Sequence, residues 1–193
     1  VSAPFEHRLL GQTRDDAAGE AFDKVAKMLG LGYPGGPAID TLAKLGNPAA
    51  IKFPRTYLEE GSYDFSFSGI KTAVLYYLRN NGLTAGAIDK QRLADICASF
   101  QVSVVEVLVE KSIAAAREFG IQEVTIAGGV SANSLLKLKM GEACKRRGLR
   151  LFYPPLEYCM DNGAMIAHVG WMKLQKGITS SMELPAVANL ELQ

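Results

Sequence analysis

Metal-binding side chains are scarce in this chain: its 193 residues hold two histidines, His7 and His168, and three cysteines, Cys97, Cys144 and Cys159. The histidines share no HxxxH spacing, so no self-contained histidine metal site is expected. The cysteines are odd in number and widely spaced, without a CxxC pair, which excludes a disulfide framework or zinc knuckle and fits free thiols in a reducing cytoplasm. Charge of one sign is missing too: 21 basic side chains against 20 acidic leave a net charge of +1. No global field therefore gathers nucleic acid or an acidic membrane surface. No apolar run approaches the roughly 18 residues that would span a bilayer, and there is no internal repeat or low-complexity stretch. The N-terminus, Val1-Ser2-Ala3-Pro4, lacks both an initiator Met and a signal-peptide layout, and is expected to begin mid-protein. What remains, 48% apolar and 21% charged, is the composition of a folded globular chain.

Periodicity predicts alternating helices and strands, hence an α/β domain with helices packed on a sheet. A helix is expected over Asp15–Leu29, with Ala18, Phe22, Val25 and Leu29 on its apolar face and Thr13 and Asp16 at capping-box spacing. The glycine-rich run Gly30–Pro37 ends it, and Pro37 suits the first position of a second helix, Ala38–Leu45. Tyr63–Ser68 alternates like a half-buried strand, followed by a helix to Arg79. A long helix is expected over Asp89–Phe119 and a buried strand over Glu123–Ala127. A helix over Ser131–Arg147, a strand over Leu151–Tyr153 and a last helix over Asp161–Gln175 complete the order.

Four constellations could carry chemistry. Asp16, Glu20 and Asp23 fall on one side of the first helix, either as a solvated face relieved by Lys24 or as acceptors for ribose hydroxyls. Tyr33-Pro34-Gly35-Gly36-Pro37 with Asp40 is a helix–helix turn, or a place where backbone approaches a ligand. Gly128-Gly129-Val130-Ser131-Ala132-Asn133 lies between a strand and a helix, where α/β sheets bind ligands, and Asn133 offers a donor and an acceptor. Asp161 in Cys159–Met165 is an N-cap or a single metal carboxylate. A basic patch, Lys137, Lys139, Lys145, Arg146, Arg147 and Arg150, is a solvated face or a contact for a phosphate backbone.

Taken in order, Asp15–Lys24, Tyr33–Pro37, Asp64–Thr72, Gly128–Asn133 and Asp161–Met165 resemble the motifs of the TsaD family, long labelled O-sialoglycoprotein endopeptidase or glycoprotease. The resemblance covers nearly the whole chain from Leu9 to about Trp171. It implies transfer of a threonylcarbamoyl group from threonylcarbamoyl-AMP to the adenosine next to the tRNA anticodon. It also implies a two-lobed fold of the actin, Hsp70 and sugar-kinase kind, of which residues 1–193 are the C-terminal lobe with a helical insertion at about 12–120. By resemblance Asp23, Gly36, Asp40 and Asn133 match the adenylate-binding positions, supported by Asp16, Glu20, Gly128 and Gly129. Asp161 matches a carboxylate ligand of one divalent metal ion, iron or zinc.

The family's HxxxH ligands have no counterpart here, and its VSGGHT hairpin is not recognisable beyond Val1-Ser2. The chain alone is accordingly expected to bind metal weakly and not to catalyse transfer. The resemblance implies tRNA and the other proteins of the transfer complex as partners, no membrane, a cytoplasmic location, and self-association of the chain as a further expectation. A non-catalytic nucleotide-binding scaffold is the alternative. A metallopeptidase, the older label, finds no HExxH here.

Overall fold

The computed structural model describes residues 1, 3–185 and 187; Ser2 of the Val1-Ser2 pair lies outside them. The first helix, α1 (Ala18–Leu29), buries Ala21, Phe22, Val25, Ala26 and Leu29 and stops at Gly30, which takes φ = 74°. It begins three residues later than the pattern predicts, because the preceding acids are engaged elsewhere. Thr13 donates its hydroxyl to the Asp16 carbonyl rather than capping the helix. Glu20 reaches back to accept from the Ala17 N–H at 3.4 Å, the half of a capping box that an alanine N-cap can support.

Helix α2 (Gly35–Ala43) starts ahead of Pro37, with Pro34 at the N-cap. Pro37 falls in the first turn, where its missing N–H costs nothing. The predicted strand at Tyr63–Ser68 is not formed. Phe65 makes one isolated parallel bridge to Thr13, and the chain then turns into α3 (Ser68–Asn80). Asp15 ends the extended run by accepting from the Phe67 and Ser68 N–H groups and from both flanking serine hydroxyls. The alternation still sets one thing: Phe65 and Phe67 project to the same side and stack at 5.9 Å.

Helix α4 (Lys90–Glu118), capped by Asp89 on the Arg92 N–H, is the spine. Its first half joins α1, α2 and α3 in one core around Phe22, Ile39, Val74, Ile96 and Phe100. Its second half packs Val105, Ile113 and Ala116 against Val124, Leu136, Met140 and Cys144 in another. Being buried over almost all of its middle, α4 has little amphipathic contrast there, which is why its Val-rich stretch also suits a strand.

Strands β1 (Glu123–Thr125) and β2 (Arg150–Phe152) pair in parallel, Val124 opposite Leu151, and α5 (Ser134–Arg146) crosses between them. This is a right-sized βαβ crossover. The expectation of a buried strand over Glu123–Ala127 is too long: β1 is three residues, and of these only Val124 is buried. The last helix, α6 (Gly163–Gln175), is capped by Asn162 on the Met165 N–H and not by Asp161. None of its described side chains is buried, and Ile166, Trp171 and Leu174 lie exposed on it. No helix of the described residues is long and apolar enough to cross a membrane.

Candidate functional site

Two adjacent glycines at the α1–α2 junction do different work. A Cβ on Gly35 would lie 2.6 Å from the Ala26 Cβ and 2.7 Å from the Asp23 Cα, so Gly35 lets the two helices meet. A Cβ on Gly36 would meet nothing within 4 Å, so its missing side chain leaves open space and not a packing contact. Asp23, on α1, accepts from the Gly35 N–H at 2.7 Å and so fixes the start of α2. With Lys24, Lys27, Gly30, Gly32 and the exposed Tyr33 it lines an open cleft of about 500 Å3.

One turn into α2, Asp40 meets the start of α5. Its Oδ1 accepts from the Ser134 hydroxyl at 2.7 Å, from the Ser134 N–H at 3.3 Å and from Gln101 Nε2 at 3.2 Å. Lys44 stands 3.4 Å from its other oxygen. Asn133 is the N-cap of α5, accepting from the Leu136 N–H at 3.0 Å while its amide donates to Gln101 Oε1 at 3.0 Å. Gln101, buried in α4, therefore joins Asp40 to Asn133 and ties α2, α4 and α5 together. Asn133 is buried, and the donor and acceptor that the sequence offers there are both engaged within the protein, by Gln101 and by the Leu136 N–H.

Gly128 and Gly129 follow β1 and open a 3-10 turn, Gly129–Ala132, with Gly128 at φ = 76°. The turn runs under α1, where Val130 comes within 3.4 Å of the Cβ position on Gly19. Behind it Ser131 donates to the buried Cys159 sulfur at 3.3 Å. The turn after β1 thus meets the start of α1 at Gly19, and the start of α5 meets α2 at Asp40, although these come from separate parts of the chain.

The acidic face is not a row of unpaired acceptors. Asp16 lies before α1 and is held by Lys24 at 2.8 Å and Lys71 at 2.7 Å, and Glu20 by Lys24 at 2.7 Å. Lys24 and then Lys71, donating to its carboxyl, hold Asp16 below the usual carboxylate range, and Lys24 does the same for Glu20. Together Asp16 and Glu20 fix Lys24 at the rim of the cleft, a support once removed from any ligand. Asp161 is exposed and outside the cluster. Among the described residues no group of three or more His, Cys, Asp or Glu side chains could hold a metal ion, so the residues present do not fit a metal centre.

Gln101 and Ser134 escape the motif reading. The signal for Gln101 is present but slight: an amide inside Phe100-Gln101-Val102 on a helix with no polar face there must be buried, and a buried amide needs partners. Ser134 gives none, since its partner lies 94 positions away.

Comparison with known proteins bears on this arrangement. Residues 1–168 match the family model described as TsaD: tRNA N6-adenosine threonylcarbamoyltransferase. A protein of Ralstonia pickettii named tRNA N6-adenosine threonylcarbamoyltransferase is 53% identical over 175 residues, 91% of this chain and 50% of its own length. Proteins of the same name from Thermotoga neapolitana and Clostridioides difficile are 47% and 50% identical. They cover 100% and 97% of this chain and 57% and 54% of their own lengths. The chain therefore spans about half the length of the curated relatives it matches. Among solved structures, T. kodakarensis HypF is similar in fold, with a TM-score of 0.60 at 24% identity, over 83% of this chain and 20% of that one.

Proposed function

This chain belongs to the TsaD family of tRNA N6-adenosine threonylcarbamoyltransferases, and from that premise we propose that it forms the adenylate-holding part of such a transferase. Its substrate is threonylcarbamoyl-AMP, and the acceptor is the amine of an adenosine in tRNA. The observation that carries the reading is that Asp23, which fixes the start of α2 through the Gly35 N–H, lines an open cleft, with the open side of Gly36 next in the chain and Asp40 further along α2 joined to the start of α5.

In this reading Asp23 accepts from ribose hydroxyls, and Gly36 admits the backbone close to the nucleotide. Asp40 holds α2 against the start of α5, with Asn133 and Gln101 bracing that end, while Asp16 and Glu20 pair Lys24 beside the cleft. Position supports the assignment as well: the glycine turn lies beyond the carboxyl end of β1, where parallel α/β units place ligands.

The proposed architecture is one lobe of an actin-, Hsp70- and sugar-kinase-like fold, with the helices before β1 as an insertion in it; the parallel βαβ unit supports this reading. Asp161 alone would offer one carboxylate to a divalent ion, iron or zinc. The described residues gather no partners for it, so no step of transfer is routed through a metal here. The proposed setting is the cytoplasm, with tRNA and the other proteins of the transfer complex as partners.

Titration of the 193-residue chain with AMP tests the reading. Gly36→Val and Asp23→Asn are expected to weaken binding about tenfold, which is ~1.4 kcal/mol, with unchanged helix content. No saturable binding by the wild type, or equal affinity in all three proteins, overturns it.

A further inference from the structure

The last turns of α4 and α5 flank an open groove of about 250 Å3, to which Arg117 comes from α4 and Arg146 and Arg147 from α5 and its C-cap. Ile113 and Ala143 are part of the apolar floor. A basic residue at the end of a helix ordinarily answers the negative end of the macrodipole, and one for each helix is enough. Here two helix ends open on the same groove with three guanidinium groups.

Their charge is little neutralised. Arg146 has Glu142 at 4.0 Å with both groups well exposed, a pair of small worth in water. Arg117 and Arg147 have no ion pair among the described residues. The carboxylate that also lines the groove, Glu110, accepts from the Tyr57 hydroxyl, and Glu118 accepts from the Tyr63 hydroxyl at 2.6 Å. A hydrogen bond from a neutral tyrosine does not cancel a carboxylate's charge, so the lining sets three guanidinium groups against the one carboxylate of Glu110.

Planar guanidinium groups over a shallow apolar floor match the oxygens of a phosphodiester, and the groove is too small for a duplex to enter. Arg117 stands about 24 Å along α4 from Gln101 at 1.5 Å per residue, well separated from the adenylate cleft. We propose that this groove seats the phosphodiester backbone of an RNA, fixing its position without reading its sequence. That the RNA is the tRNA acceptor rests on the transferase reading above; the phosphate chemistry of the groove does not.

The test is the salt dependence of tRNA binding by the 193-residue chain, followed by fluorescence anisotropy. In Arg117→Ala/Arg147→Ala the slope of log K against log salt is expected to become shallower by about one for each arginine, and binding at 0.1 M salt to weaken about tenfold. Lys52→Ala/Arg79→Ala, which removes two exposed charges far from the groove in sequence, is expected to leave the slope unchanged. An unchanged slope in the arginine variant overturns the proposal. So does an equal loss in the lysine–arginine control, no tRNA binding by the wild type, or tighter binding of anionic phospholipid vesicles than of tRNA. AMP titration of the same proteins separates the two readings. Arginine-dependent tRNA binding without AMP binding removes the adenylate assignment and leaves the groove. AMP binding with arginine-independent tRNA binding does the reverse.

Discussion

The carboxylate of Asp40 accepts the hydroxyl of Ser134 at 2.7 Å, and the two residues stand 94 positions apart in the chain. Through that contact the middle of α2 and the first turn of α5 are fixed to each other, and Gln101 closes the link to Asn133. The candidate nucleotide-facing surface is therefore assembled by buried and half-buried polar pairs and not by the apolar core alone.

Removing the hub should be costly. Asp40→Ala leaves Gln101 Nε2 and the Ser134 hydroxyl without their acceptor, and an unmade bond at a buried polar group costs about 1–3 kcal/mol. Asp40→Asn keeps an acceptor oxygen and is expected to lose roughly half as much. Urea unfolding checks this: the midpoint should fall in that order while the slope of free energy on denaturant stays constant.

Acid stability should depend on Asp15. Burial raises its pKa, but the Ser66 and Ser68 hydroxyls and the Phe67 and Ser68 N–H groups together outweigh that and hold it at about 2. A carboxylate depressed in the folded state stabilises above its unfolded pKa, near 3.9, and loses that contribution as pH falls towards 2. The midpoint of denaturation should thus drop between pH 4 and pH 2, and Asp15→Asn should be less stable at pH 6 and lose part of that dependence. An identical acid profile in the variant would contradict the assignment.

The thiols are expected to be inert in the folded chain. Cys97, Cys144 and Cys159 are all buried. Burial also pushes the Cys97 thiol up to about 12 and the Cys144 thiol in the same direction, which removes the reactive thiolate. A colourimetric thiol reagent at pH 8 should find no rapidly reacting group in the native protein, and all three after denaturation. Fast labelling of one thiol in the native state would show that its burial is wrong.

How far the sequence carries this fold depends on the range of the interaction. Helices α1, α3, α4 and α5 are legible because their apolar spacing and end signals are local, and even Gly30 stops α1 as its left-handed φ requires. The strand expected at Tyr63–Ser68 fails because Asp15, some fifty positions away, takes the N–H groups that a ladder would need. Asp16 and Glu20 can be read from spacing as acids on one side of a helix relieved by Lys24; that Lys71 reaches Asp16 from α3 follows from the fold. Asn133 shows the same limit. Its place at the head of a helix is legible, whereas Gln101, the partner that engages its amide, lies on a different helix.

The two glycines of the α1–α2 junction give the sharpest separation of stability from binding. Gly35→Ala drives a methyl to within 3 Å of Ala26 and of the α1 backbone, so α2 must move off α1. Overpacking of that kind costs about 1–3 kcal/mol, and thermal unfolding should occur several degrees lower. Gly36→Ala meets no atom within 4 Å and sits in the first turn of a helix, where alanine is the better helix former. Its thermal midpoint should hold or rise. If Gly36 is where a nucleotide approaches the backbone, the same substitution must weaken AMP binding while leaving the fold intact. A Gly36→Ala protein with wild-type midpoint and wild-type affinity would remove Gly36 from the site, and a destabilised one would show that the open space beside it is filled.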